Sequence, residues 1–169
     1  MEHKDELREL CASLSGQRLP RWDELPDLEL YMDQVLSLIA RYLGGYPGFD
    51  DKGLTASMVN NYVKLGVMPP PVKKKYMRTH LAHLLMICVL KASLPIELIK
   101  GLIGESLDER GESELYDAFC EEFEASVKAS AEAAKNDPAL SGIYRAALRA
   151  QAEQALAVEL YEMRTGKGE

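Results

Sequence analysis

Two groups of side chains in this sequence have the types and spacing to do chemistry. The first is the triplet Lys73-Lys74-Lys75 with Tyr76 and Arg78, directly after Pro69-Pro70-Pro71. Cations on a proline-stiffened backbone can reach phosphate oxygens, and contacts of that kind weaken with salt. The second is Thr55, Ser57, Asn60, Asn61 and Lys64. An asparagine amide can pair with N6 and N7 of adenine, and a helix N-terminus opened by Thr55 offers N–H groups to phosphate. Singly, each has an ordinary counterpart: a solvated lysine turn, an exposed polar helix face, a tyrosine packed in a core. Charge joins them. The chain is −7 overall, yet Gly53 to Ile96 contains no Asp or Glu and six cations, Lys64, Lys73, Lys74, Lys75, Arg78 and Lys91. Fourteen Lys and Arg and all 27 acids lie elsewhere, so a positive module is carried on acidic flanks.

Other chemistry is sparse. His80 and His83 stand at i, i+3, a spacing able to chelate a metal, but no carboxylate is near in sequence and Cys88 falls in an apolar run. Glu121, Glu122 and Glu124 read as a solvated helix face. The chain has no nucleophile elbow, phosphate-binding loop, H-E-x-x-H pair or dinucleotide fingerprint, so neither an enzyme nor a cofactor is expected. Cys11, Cys88 and Cys120 form no C-x-x-C pair and predict reduced thiols in a cytoplasm. The longest apolar run, Leu84–Leu90, is far short of the ~20 residues that span a bilayer. The charged opening Met1–Glu6 has no signal-peptide core.

The positioning elements read as helices. Leu7, Leu10, Cys11 and Leu14 mark an amphipathic helix over 5–14, ended by Gly16 and Pro20. Asp27 predicts an N-cap for a helix Leu28–Leu43, with Leu28, Tyr31, Val35, Leu38, Ile39 and Tyr42 on one face. A loop follows over 44–53. Thr55 caps a short helix that closes at Gly66. Thr79 is expected to open a helix running to about Ala92, apolar nearly all round, with Leu81, Leu84, Leu85, Cys88 and Val89 buried and the Pro69–Tyr76 piece on the surface. Ile96, Ile99, Leu102 and Ile103 mark a short helix after Pro95. From Glu114 to Lys135 and from Pro138 to Arg164 the composition predicts an antiparallel hairpin of long helices, broken at Asn136-Asp137-Pro138. Its stripes are Leu115, Phe119, Phe123 and Val127, then Ile143, Ala147, Leu148, Gln151, Ala155 and Leu156. So wide an apolar surface predicts a homodimer. No strand and no internal repeat is evident.

The segment from Met58 to Pro70, MVNNYVKLGVMPP, resembles the recognition-helix segment of MerR-type winged helix-turn-helix regulators. Tyr62 falls on that family's second tyrosine, Gly66 and Pro69 on its turn, and Tyr76 with Thr79-His80-Leu81 on its wing tyrosine and next helix. Leu90-Lys91 and Ile96–Ile99 fall on its following helix pair. Asn60 and Asn61 stand where the family has arginine and its first tyrosine, and five residues separate Pro70 from Tyr76. Over residues 22–105 the chain looks like an uncharacterised bacterial domain-of-unknown-function family related to these regulators. The resemblance implies an all-α chain with a MerR-like helix-turn-helix core, flanking helices and a C-terminal helical hairpin. Its parts would be an N-terminal helix and connector at 1–21, the core at 22–105 and the hairpin at 112–165. The implied function is transcription regulation by a homodimer on double-stranded DNA. Contacts are expected from Thr55, Ser57, Asn60, Asn61, Lys64, Lys73, Lys74, Lys75, Tyr76 and Arg78. No effector is implied. The alternative is a helical protein-interaction or scaffold module that has lost DNA reading.

Overall fold

A computed structural model describes residues 2–46, 49, 53–135 and 140–166. Among them the chain forms seven α-helices and no strand. These are α1 (Glu2–Ser15), α2 (Met32–Leu43), α3 (Ala56–Leu65), α4 (Arg78–Leu90), α5 (Ile96–Glu109), α6 (Glu112–Ala134) and α7 (Leu140–Thr165), with one 3₁₀ turn at Trp22–Glu24. The chain divides into two units, Leu19–Glu121 and Met1–Arg18 with Glu122–Glu169, and α6 runs from the first into the second. The first unit therefore continues past the boundary at 105 expected from the sequence. Most of the loop over 44–53 and the break Asn136-Asp137-Pro138 lie outside the described residues.

The centre of the first unit is α4. Its sequence, RTHLAHLLMICVL, has too few polar residues to cover any face, and nine of its thirteen residues are buried. Leu81, Leu84, Leu85 and Cys88 are among them, while Val89 is half-buried. α2 and α5 pack on α4, and α3 packs on α2. They add Val35, Ile39 and Leu43, then Val59 and Tyr62, then Ile99 and Ile103 to the core. Each such aliphatic side chain contributes about 1.5–3 kcal/mol on burial. The N-terminal part of α6 closes the unit through Tyr116 and Cys120, both fully buried. The Asp117 carboxylate accepts the Trp22 backbone N–H at 2.7 Å, and the Trp22 and Tyr116 rings meet edge to face at 6.4 Å. These contacts hold the connector and explain why the unit runs on to Glu121.

Two helix starts differ from the sequence reading. α2 begins at Met32, four residues after Leu28, and Asp27 is not its cap. Leu30 instead exchanges both backbone hydrogen bonds with Tyr76, at 2.8 and 2.9 Å. Leu30 is buried while its neighbours Glu29 and Tyr31 face solvent, an extended alternation that the helical spacing of Leu28, Tyr31 and Val35 concealed. α4 likewise opens at Met77 rather than Thr79: the Met77 N–H donates to His80 Nδ1 at 2.8 Å, and the Thr79 hydroxyl donates to Glu112. α5 is also longer than its apolar spacing suggested.

In the second unit Cys11, Phe123, Val127, Ala131 and Tyr161 are buried. The buried face of α6 is thus Tyr116, Cys120, Phe123, Val127 and Ala131, while Leu115 and Phe119 are half-buried. The second expected stripe differs more: Ile143, Ala147, Leu148, Gln151, Ala155 and Leu156 are all exposed.

Candidate nucleic-acid interface

α3 is built to show one polar face. The Thr55 hydroxyl accepts the Met58 N–H at 3.2 Å and starts the helix. Val59 and Tyr62 turn inward, and burial raises the pKa of the Tyr62 phenol, with Cys88 adding to the rise. Ser57, Asn60, Asn61 and Lys64, at i, i+3, i+4 and i+7, all face solvent together with Thr55. Gly66 ends the helix at φ 71°, in the left-handed region, and Lys100 Nζ donates to the Leu65 carbonyl at 2.9 Å.

The lysine triplet forms a tight hairpin. Val72 and Lys75 exchange two backbone hydrogen bonds, at 2.9 and 3.0 Å, around Lys73 and Lys74. Both central residues have positive φ, 50° and 64°. That is the geometry of a two-residue type I′ turn, usually filled by Asn-Gly because a Cβ is disfavoured there. A side chain beyond Cβ in this region costs about 1 kcal/mol or more at each position. The hairpin is anchored at its base. Tyr76 pairs with Leu30, its side chain is 3% exposed, and burial raises its phenol pKa. Its ring meets His80 edge to face at 5.4 Å, and His80 Nε2 lies 3.2 Å from the Pro70 carbonyl. With Nδ1 accepting from Met77, the tautomer protonated at Nε2 satisfies both bonds. His80 is a structural pin between the proline segment and α4. Nothing in its sequence spacing separates that role from metal binding, though a histidine three residues after a helix start can cap it.

Apart from Lys91, the cations of the acid-free segment divide into two sets. Lys75 pairs with Glu29, which raises its ammonium pKa, and it sits over the Tyr31 ring at 5.7 Å. Arg78 is 18% exposed, lies 5.6 Å from the Trp22 ring centre and pairs with Asp23 and Asp27 at 3.8 and 3.7 Å. Tyr76 is spent on packing, with its backbone paired to Leu30 and its ring against His80. Lys64, Lys73 and Lys74 remain exposed and make no ion pair with a described residue. The outward-facing set is therefore Thr55, Ser57, Asn60, Asn61, Lys64, Lys73 and Lys74. Asp23, Asp27 and Glu29, which the sequence reading left out, neutralise Lys75 and Arg78.

His83 behaves differently from His80. It is 5% exposed, and neither ring nitrogen has a hydrogen-bond partner at bonding geometry, the Val67 backbone lending only weak support. Burial holds its pKa below the ordinary imidazole value, against the opposing pull of Glu112. Burial also raises the thiols of Cys88 and Cys120 to about 11, so neither is a ready nucleophile. Among the described residues no group of three His, Cys, Asp or Glu side chains could hold a metal ion, and no helix is long and apolar enough to cross a membrane.

No curated relative and no solved structure matches the chain. Residues 20–121, nearly coincident with the compact unit Leu19–Glu121, match the model of the family described as Domain of unknown function (DUF1836), and the chain belongs to that family.

Proposed function

We propose that residues 20–121 are a winged helix-turn-helix module of MerR-like type that binds duplex DNA, and that the protein regulates transcription. In this reading α2 and α3 are the helix-turn-helix pair, α3 enters the major groove, and the Val72–Lys75 hairpin is a minimal wing. The observation that carries the reading is the wing tip. Lysines occupy both left-handed positions of a turn that favours Asn-Gly, and a backbone cost at an exposed site points to function rather than to folding. The acid-free exposed face of α3 supports it: Asn60 and Asn61 would read base edges, and Lys64, Lys73 and Lys74 would contact phosphates. Work on DNA accords with a cytoplasmic location.

The test is an equilibrium titration against random duplexes at two salt concentrations. Binding should appear at low salt and weaken as salt rises. Lys73→Ala with Lys74→Ala should lower affinity for all sequences and flatten the slope of log K against log salt by ~0.9 per lost phosphate contact. Asn60→Ala and Asn61→Ala should each cost ~1–3 kcal/mol on a selected site and little on random DNA. No binding at low salt, or binding that the lysine substitutions leave unchanged, overturns the reading in favour of a protein-interaction module.

A further inference from the structure

The second unit holds a groove of about 350 Å³ between α1, α6 and α7, a volume at the small end of small-molecule sites. Its apolar walls are Leu7 from α1, Ala133 and Ala134 from α6, and Ile143, Ala146 and Ala150 from α7. From Gly142 to Glu153 the lining residues of α7 fall at helical spacing on one face, roughly 16 Å of helix. Alanine keeps the groove open. Side chains that stop at Cβ leave space between the helices that leucines in the same places would fill. Ile143 is 65% exposed and α7 buries only Tyr161 among its described side chains, so this wall has no apolar cover among the described residues. All of the lining lies outside residues 20–121, and the family match does not reach it.

Charge identifies the occupant. On a chain of net charge −7, the stretch Leu140 to Ala152 contains no acid and two arginines, Arg145 and Arg149, one turn apart on the groove. Glu153 stands at the groove's end, and the Arg149 Nε–H donates to it at 2.8 Å. A guanidinium has five N–H donors, so the terminal nitrogens of Arg149 keep donors for an incoming acceptor. Two guanidinium groups against one carboxylate leave the lining at +1. An uncharged apolar molecule would leave that charge unanswered, a cation would be repelled by it, and a dianionic phosphate would overbalance it. A monoanionic carboxylate on an apolar chain matches both features. Its head suits the bidentate fork of a guanidinium, and its chain suits the alanine walls.

We infer that this groove is a binding site for a small amphipathic carboxylate, its head on Arg149 and Arg145 and its chain along Ala133, Ala146 and Ala150. The inference goes beyond the DNA reading and is independent of it. The experiment is calorimetric titration of the full chain with decanoate and with decyltrimethylammonium, which share a chain and differ in the sign of the head. Decanoate should saturate at one site per chain and bind at least roughly tenfold more tightly than the cation. Arg145→Gln with Arg149→Gln should weaken decanoate roughly tenfold or more and leave the cation no weaker, which separates loss of the head contact from loss of the fold. Ala146→Trp, which fills the groove, should abolish decanoate binding while circular dichroism shows helix content unchanged. No uptake of decanoate at millimolar concentration, equal binding of the two amphiphiles, uptake at many sites, or decanoate binding that the double arginine substitution leaves unchanged would each overturn the inference.

Discussion

α4 and α7 are both rich in apolar residues, yet α4 buries nine of thirteen residues and α7, twice as long, buries Tyr161 alone among those described. The difference lies in what surrounds each helix. α4 has apolar residues on every side, and α2 and α5 of its own unit pack against it. α7 leaves Leu148, Leu156, Leu160 and Met163 exposed along one side, with Tyr161 buried on another. Apolar content alone therefore does not fix how far a helix is covered; its distribution around the helix and the neighbours in its own unit do.

The sharpest way to break this comparison is to truncate one leucine on each helix. Leu85→Ala in α4 removes a fully buried side chain from a filled core and should cost ~2–5 kcal/mol in denaturant unfolding. Leu148→Ala in α7 removes a side chain that is 68% exposed and should change unfolding by no more than about 0.5 kcal/mol. Equal losses from the two substitutions in dilute protein would mean that α7 is covered within its own chain.

How far the sequence discloses such differences depends on whether the deciding contact is local. α3 was legible from Thr55 to Leu65 because its cap and its Gly66 stop lie within a turn of the helix. The buried run of α4 was legible because no arrangement of that sequence exposes a polar face. The start of α2 was not: Leu30 pairs with Tyr76, and no spacing near Leu28 announces a partner so distant. The same distance hid the fate of the cations. The stretch Gly53–Ile96 holds no acid in sequence, but Glu29, 46 residues before Lys75, and Asp23 and Asp27 before Arg78 come to it in space. The polar face of α3 and the lysine tip kept the placement their spacing implied, since turn and helix geometry fix both locally. On α7 both the apolar residues and the width of the surface they leave were visible in the sequence.

The lysine tip applies the comparison to the first unit, for there too residues stand where local preference would not put them. Replacing Lys73 by Asn and Lys74 by Gly restores the residues that a type I′ turn favours. The variant should gain ~1–3 kcal/mol of stability, since the disfavoured left-handed side chains are gone. Its affinity for duplex DNA should fall. A gain in thermal midpoint together with weaker binding separates the two roles in one protein. Unchanged stability would show that the tip carries no strain, and unchanged binding would show that the strain serves something other than DNA.

His83 tests the comparison inside α4 itself, where it is the buried residue least suited to its surroundings. Its two nitrogens lack partners, so His83→Leu should stabilise the protein, by an amount on the order of 1 kcal/mol, through removal of an unsatisfied polar group. The pH dependence gives an independent reading. Burial lowers the folded-state pKa below the ordinary imidazole value of about 6.5, so below that pH the unfolded chain takes up a proton at His83 more readily than the folded chain. The His83 contribution is thus fully present above about pH 6.5 and is lost progressively as pH falls toward and through the depressed folded value. Urea midpoints of wild type and H83L measured from pH 7.5 to 5 should diverge as the solution is acidified, the variant holding its stability while wild type loses some. Parallel curves would mean that Glu112 and the Val67 backbone already compensate the buried ring, and that His83 fits the packing of α4 as well as its apolar neighbours do.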